Sequence, residues 1–336
     1  MNLQISNRRY TGGKRMLLND IFESVKQYCN KETVFADLFA GTGVVSLFML
    51  EKGVNVIAND MLLSNCIAYE AWFGSGKFSL KKIESIISYF NAIDGGRLEE
   101  NYFSKIYSSK YFSLSDAKKI GFLRETIDQE KLNKRERYIL LASLMYATDK
   151  IANTVGHFEH FLSAPPKDKG VFLRLPEIKA FDGFATIYNE DANQLVKQIV
   201  CDIAYIDPPY NARQYINFYH VLENLIRWDK PTEFEGVSMK FKRNHLKSDY
   251  SKSKAPIVFE DLIKNLQAKI IVVSYNNTYS AKSSASNNKI SEKQLLKILS
   301  AKGEVEVKEI KHKSFNSGKT NFLDHKEKLY ICKTNL

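Results

Sequence analysis

Tyr205-Ile206-Asp207-Pro208-Pro209-Tyr210-Asn211 closes an apolar run that begins at residue 199. The run predicts a buried strand. The motif then falls at the strand's carboxyl end, where open α/β sheets place their ligands. Asp207 offers a carboxylate acceptor. Pro208 offers a backbone carbonyl and has no amide hydrogen of its own. The double proline stiffens the turn, and Tyr210 adds a flat face. These are the groups needed to hold a planar ring by its exocyclic amino group. Taken alone, Asp-Pro-Pro is also an ordinary turn, so the motif gains meaning only from its surroundings.

A second site lies upstream. Residues 33–39 predict a strand carrying Asp37 near its end and Phe39 just beyond. Ala40-Gly41-Thr42-Gly43 follows, then an apolar helix over 44–50. Two glycines between a strand and a helix let the backbone approach a ligand closely. A dinucleotide fingerprint wants a third glycine where Ser46 stands, and a P-loop wants Gly-Lys-Ser/Thr; both are missing. A further apolar strand, 54–58, ends in Asn59-Asp60. An acid at that place is set to take ribose hydroxyls. The pattern asks for an adenosine-like cofactor without a cradled pyrophosphate, which S-adenosylmethionine fits.

With these motifs the chain resembles the alpha group of N6-adenine-specific DNA methyltransferases, the DNA adenine methylase family. Arg9-Tyr10-Thr11-Gly12-Gly13-Lys14-Arg15 resembles the family's first cofactor motif, with Tyr10 where relatives often carry Trp. Asp37 to Gly43 is similar to the methionine-binding loop, and Asn59-Asp60 to the ribose motif. Asp207-Pro208-Pro209-Tyr210 is similar to the catalytic motif. Asn211-Ala212-Arg213-Gln214-Tyr215, followed by Tyr219-His220-Val221-Leu222-Glu223, resembles an extension found among restriction-associated methylases. Val273-Ser274-Tyr275-Asn276 resembles a late motif near the target base, and Asp191 by position resembles one near the cofactor's adenine.

The resemblance implies a Rossmann-like α/β methyltransferase fold. The catalytic domain would comprise 1–70 and 180–336, with a mainly helical target-recognition domain inserted at 71–179. It implies Asp207, Pro208, Pro209 and Tyr210 as catalytic residues. It implies cofactor contacts at Tyr10, Lys14, Asp37, Phe39, Gly41, Gly43, Asp60, Asp191 and Asp207. DNA contacts would come from Asn211, Arg213, Tyr215, Lys240, Lys242 and Arg243. The implied substrate is adenine in double-stranded DNA. The implied setting is a restriction–modification system with a cognate endonuclease, no stable complex between the two being required.

Composition agrees with such a partner. Lys and Arg exceed Asp and Glu by 11 among 336 residues, and a basic surface favours a polyanion through counterion release. No segment is long and apolar enough to span a membrane, and the first nine residues lack an apolar signal core. Four scattered cysteines show neither zinc spacing nor a disulfide framework, which predicts a reducing cytoplasm. His157-Phe158-Glu159-His160 is not His-Glu-x-x-His and has no evident third ligand, so no metal is expected. His220 reads as a packing residue.

Two stretches admit two readings each. Tyr102, Phe103, Lys105, Tyr107, Lys110, Tyr111 and Phe112 interleave aromatics with cations, which suits either a nucleic-acid surface or the core of a small domain. Residues 231–256 are polar and basic, which suits either a solvated loop or a phosphate contact. Two other functions stay open. An RNA amino-group methyltransferase uses similar Asp-Pro-Pro-aromatic motifs, and a catalytically silent specificity subunit would share the basic surface.

Overall fold

The computed structural model describes residues 2–278, 286–311 and 326–336. The sequence offers the polar loop 311–320 as a DNA contact, while the Ser/Asn-rich stretch 280–288 departs from the pattern of the family it resembles. Apart from 286–288 and 311, they lie outside the described residues.

Among the described residues, nine strands and eleven α-helices order as follows. Helix α1 (Leu18–Val25) precedes strand β1 (Val34–Asp37), helix α2 (Val44–Glu51), strand β2 (Asn55–Asn59) and helix α3 (Leu63–Phe73). Helices α4 (Leu80–Ala92), α5 (Tyr102–Tyr107), α6 (Leu114–Gln129) and α7 (Lys134–Ile151) follow. Then come β3 (Ala185–Tyr188), α8 (Ala192–Leu195), β4 (Val200–Ile206) and α9 (Tyr215–Arg227). A hairpin of β5 (Phe234–Glu235) and β6 (Lys240–Phe241) leads to α10 (Ala255–Asn265) and β7 (Gln267–Asn276). The chain ends with α11 (Glu292–Ser300), β8 (Gly303–Lys311) and β9 (Lys326–Thr334).

Seven strands form one sheet in the order β3-β2-β1-β4-β7-β9-β8. The first five are parallel, and β9 inserts antiparallel between β7 and β8. This is a doubly wound α/β sheet whose strand order reverses at β1/β4, the place where such sheets bind ligands. Successive residues of each strand feed opposite cores, as the pleat requires. Phe35, Val56, Ile203 and Val272 face α1–α3, α7 and α9. Ala36, Ile57, Ala204 and Val273 face α8, α10 and α11.

Residues 71–179 are mainly helical, and their apolar side chains continue the first of these cores. Helix α7 starts on a capping box, Asn133 with Glu136, which satisfies two of its otherwise unpaired donors. It is buried along most of its length, and Tyr146 sets its ring 4.9 Å from that of Trp72 on α3. The aromatic run resolves as core: Phe103, Tyr107, Tyr111 and Phe112 are buried, so those four rings have no free face for bases.

The basic stretch 231–256 is built rather than loose. It contains the β5–β6 hairpin and buries Phe241, Leu246 and Tyr250. Phe241 and Leu246 join Leu62, Ile216, Phe218 and Tyr219 in a small cluster packed with Tyr10 and Tyr215. Apolar side chains spaced among the lysines, which composition averages away, explain the order.

Candidate active site

The carboxyl ends of β1, β2 and β4 surround a cleft that opens to solvent. Nine of the residues expected to be catalytic or cofactor-binding line it together: Tyr10, Lys14, Asp37, Phe39, Gly41, Asp60, Asp191, Asp207 and Pro209. The glycine loop and the Asp-Pro-Pro corner, some 165 residues apart in the chain, therefore share one cavity. Leu246, Ser248 and Tyr250 close one side, and the Tyr250 ring meets Phe39 edge-on at 5.0 Å. Part of the basic stretch 231–256 thus walls the cleft.

The loop 10–14 is held from below by α9. Tyr10 stacks on Tyr219 at 4.6 Å with ring planes 6° apart, and on Tyr215 at 5.5 Å. The Tyr219 hydroxyl accepts from the Thr11 amide at 2.7 Å. Arg8 lies 4.9 Å from the Tyr219 ring centroid and donates to Asn65, extending the stack with a cation–π contact.

Gly41 has φ +55°, and a Cβ there would lie 3.2 Å from the Tyr10 ring, so a side chain would crowd the aromatic that walls the cleft. Its amide donates to Asp60 at 2.9 Å, while Leu62 donates to the other Asp60 oxygen at 2.8 Å. A carboxylate has about four acceptor directions, so Asp60 keeps capacity for hydroxyls. Gly43 departs from expectation. It does not line the cleft, and a Cβ there would lie 2.7 Å from the buried Tyr69 ring and 3.1 Å from Ile5. Its φ of +78° caps the start of α2. This glycine shapes the loop from behind.

Asp37 is 1 % exposed. One carboxyl oxygen accepts from Ser46 at 2.7 Å, and the other has no hydrogen-bond partner. Burial lifts this carboxyl to about 7, and burial lifts Asp60 to about 6. The cleft counts Asp37, Asp60, Glu190, Asp191 and Asp207 against Lys14. In a chain of net charge +11 this is an acceptor-rich pocket. It fits a ligand with cationic centres and hydroxyls, and Asp37 brings to it one carboxyl oxygen without a hydrogen-bond partner. S-adenosylmethionine has that chemistry.

At the Asp-Pro-Pro corner, Asp207 meets Lys14 at 3.1 Å and the Tyr210 hydroxyl at 2.6 Å. Burial raises Asp207 to about 6, with Lys14 opposing that shift. Pro208 is buried, and Tyr210 is half-buried with its ring 4.5 Å from Tyr275. The Tyr210 hydroxyl is tied down by Asp207, Glu327 and Lys14.

The residues expected on DNA divide. Asn211 is half-exposed, and Arg213 is exposed. Tyr215 turns into the cleft beside Tyr10. Lys242 is exposed. Lys240 pairs with Glu159 at 3.2 Å. Arg243 is 6 % exposed and is consumed by Asn217, Glu235 and the Phe241 carbonyl, which fixes the loop. Its guanidinium is therefore not a free phosphate contact. His220 is fully buried against the Asn217 and Ser238 carbonyls, a packing position as expected. His157 stacks on Phe218 at 4.5 Å. Among the described residues no group of three His, Cys, Asp or Glu is placed to hold a metal, and no helix is long and apolar enough to cross a membrane.

Sequence reading missed Glu327 and Tyr250, and it quoted Tyr219 within a motif without giving it a place in the site. Glu327 sits in Lys326-Glu327-Lys328, which looks like a solvated charge run. Its signal is parity: it shares the inward face of β9 with buried Leu329 and Ile331.

The sheet and the cleft at its switch point define a Rossmann-like domain of the methyltransferase type. The chain matches the family described as D12 class N6 adenine-specific DNA methyltransferase over residues 10–279. It is 36 % identical over 330 residues to Modification methylase StsI of Streptococcus sanguinis, covering 92 % of this chain and 49 % of that protein. It is 31 % identical to Type II methyltransferase M.NlaIII of Neisseria lactamica, covering 94 % and 95 % of the two chains. For Type II methyltransferase M.FokI of Planomicrobium okeanokoites the identity is 32 %, with 80 % and 44 % covered. The chain thus spans about half the length of the first and third of these relatives and nearly all of the second. It belongs to the D12 class N6 adenine-specific DNA methyltransferase family. A solved SAM-dependent methyltransferase from Agrobacterium tumefaciens aligns at 12 % identity and TM-score 0.34, over 95 % of this chain and 61 % of that one.

Proposed function

We propose that this chain moves a methyl group from S-adenosylmethionine to the N6 amino group of an adenine turned out of duplex DNA, in a restriction–modification setting within the cytoplasm. One observation carries the reading: the Gly41 loop and Asp207 open onto the same cleft. The names of its relatives, modification methylases and Type II methyltransferases, support the setting.

The base must leave the stack for its amino group to be reached in line. Tyr10, Phe39, the Gly41 loop, Asp60 and Asp191 would hold the cofactor, with Asp37 and Asp60 accepting from its polar hydrogens. When bound, the cofactor would supply an electrophilic methyl group and leave as the neutral thioether, and the amino nitrogen would lose one proton to Asp207 or to solvent. Asp207 and the Pro208 carbonyl accept the two amino hydrogens. That draws the nitrogen lone pair out of conjugation and aims it. The half-exposed Tyr210 ring flanks the base. The protein contributes placement and fixed acceptors, with no covalent link to the base. Asn211, Arg213 and Lys242 would meet DNA at the rim, and the helical residues 71–179 would carry target recognition.

Transfer of labelled methyl to duplex DNA and to ribosomal RNA tests this reading. Label on N6 of adenine in DNA supports it; label on RNA alone overturns it.

A further inference from the structure

The charged cluster beneath the Asp-Pro-Pro corner is larger than a single acceptor needs. Glu327 of β9 is 6 % exposed. Its Oε1 accepts from Lys14 at 2.9 Å, from the Tyr210 hydroxyl at 2.6 Å and from Ser274 at 2.8 Å. Lys14 Nζ also lies 3.1 Å from Asp207 and 2.9 Å from the Tyr210 hydroxyl. The Lys14, Asp207 and Glu327 side chains are only 10, 15 and 8 % exposed. Two carboxylates thus share one ammonium in a partly dry place, where charges interact more strongly than in water. Without Glu327, the Lys14 charge would fall on Asp207 alone. The ammonium would then compete with any incoming amino group for the same lone pairs.

We propose that Glu327 is a positioning residue: by holding Lys14 and the Tyr210 hydroxyl, it keeps Asp207 available to accept an amino hydrogen of the target base. This rests on the function proposed above, and it goes beyond it by assigning work to a residue that touches neither base nor cofactor. The charged and titratable groups acting on Asp207 are Lys14 from the N-terminal segment, Tyr210 after β4 and Glu327 of β9. Asp207 in turn acts on Asp37 of β1, Tyr205 of β4 and Tyr215 of α9. Burial raises the Asp207 carboxyl most, Lys14 lowers it, and Glu327 raises it. Removing the Glu327 charge therefore moves the Asp207 titration down.

Two measurements test the proposal on the full chain. The first is the carboxyl ¹³C titration of Asp207, assigned by its loss in Asp207→Asn. Glu327→Gln should lower the midpoint by about one pH unit or more, the size of shift a close charge produces, while Glu327→Asp keeps it near wild type. A midpoint unmoved in Glu327→Gln overturns the proposal, and Glu327→Asp still reports on the charge should the glutamine variant fold poorly. The second is single-turnover methylation of duplex DNA. Glu327→Gln should slow it at least about tenfold, as loss of a preorganised electrostatic group does, with cofactor Kd within about twofold. On a Lys14→Met background the same change should add little, because coupled residues are non-additive. Equal losses on both backgrounds overturn it. Absence of any transfer by the wild type would instead defeat the function proposed above, and the carboxyl titration would still decide this one.

Discussion

Replacing Gly43 by Ala should damage the fold of the loop before it damages ligand contacts. Gly43 has φ +78°, and the added Cβ would approach two carbons of the Tyr69 ring at 2.7 Å. Holding an L-residue in the left-handed region costs about 1–2 kcal/mol. Forcing a methyl into a packed interior costs about 1–3 kcal/mol more. Tyr69 is fully buried, so it has little room to yield. The sum is about 2–5 kcal/mol. A chain of 336 residues unfolds with an entropy near 0.7 kcal/mol per kelvin, so the melting temperature should fall by about 3–7 °C. Movement of Tyr69 would also loosen its 2.7 Å hydrogen bond to the Gly41 carbonyl. Cofactor affinity should therefore fall as a consequence of the loop shifting, and Tyr69→Phe should reproduce part of the loss. Differential scanning calorimetry and cofactor titration check both effects. An unchanged melting temperature with abolished binding would refute the reasoning, because it would place Gly43 against the ligand itself.

Other outcomes follow from the same geometry. Asp207→Asn should cut methyl transfer by about 10²–10⁴-fold while leaving cofactor affinity near wild type by calorimetry. Burial holds Asp37 at about 7 and Asp60 at about 6, above their unfolded values, so both favour folding at low pH and lose that contribution as pH rises through those values. Cofactor binding runs the other way: it uses the ionised carboxylates and should weaken by up to about tenfold per pH unit for each group below its pKa. A flat affinity between pH 5.5 and 8 would count against Asp37 and Asp60 as ligands. Lys242→Ala should lower the salt slope of DNA binding by about one and leave stability unchanged. Arg243→Ala should lower stability by about 1–3 kcal/mol in urea unfolding, since it strands the groups that now hold the guanidinium.

The sheet and the cleft were legible because they rest on local signals. The apolar runs at 54–58 and 199–206 fall on β2 and β4 within one residue at each end. Gly41, Asp60 and Asp207 stand at strand ends, where side chains converge by topology alone. What stayed hidden depends on distant pairing. Glu327 joins the site only because β9 runs antiparallel beside β7, setting Glu327 opposite Asn276. Tyr219 matters because α9 brings it under Tyr10. The basic stretch misled in part, because Arg243 looks like a phosphate contact until Glu235 and Asn217 are seen around it. Charge reads as surface in a sequence; only the fold shows which cations are already engaged.

The most direct measurement is transfer of the labelled methyl of S-adenosylmethionine to duplex DNA, followed by digestion to nucleosides and identification of the modified base. The account predicts N6-methyladenine, abolished by Asp207→Asn. A different modified base, or label confined to RNA, would contradict it.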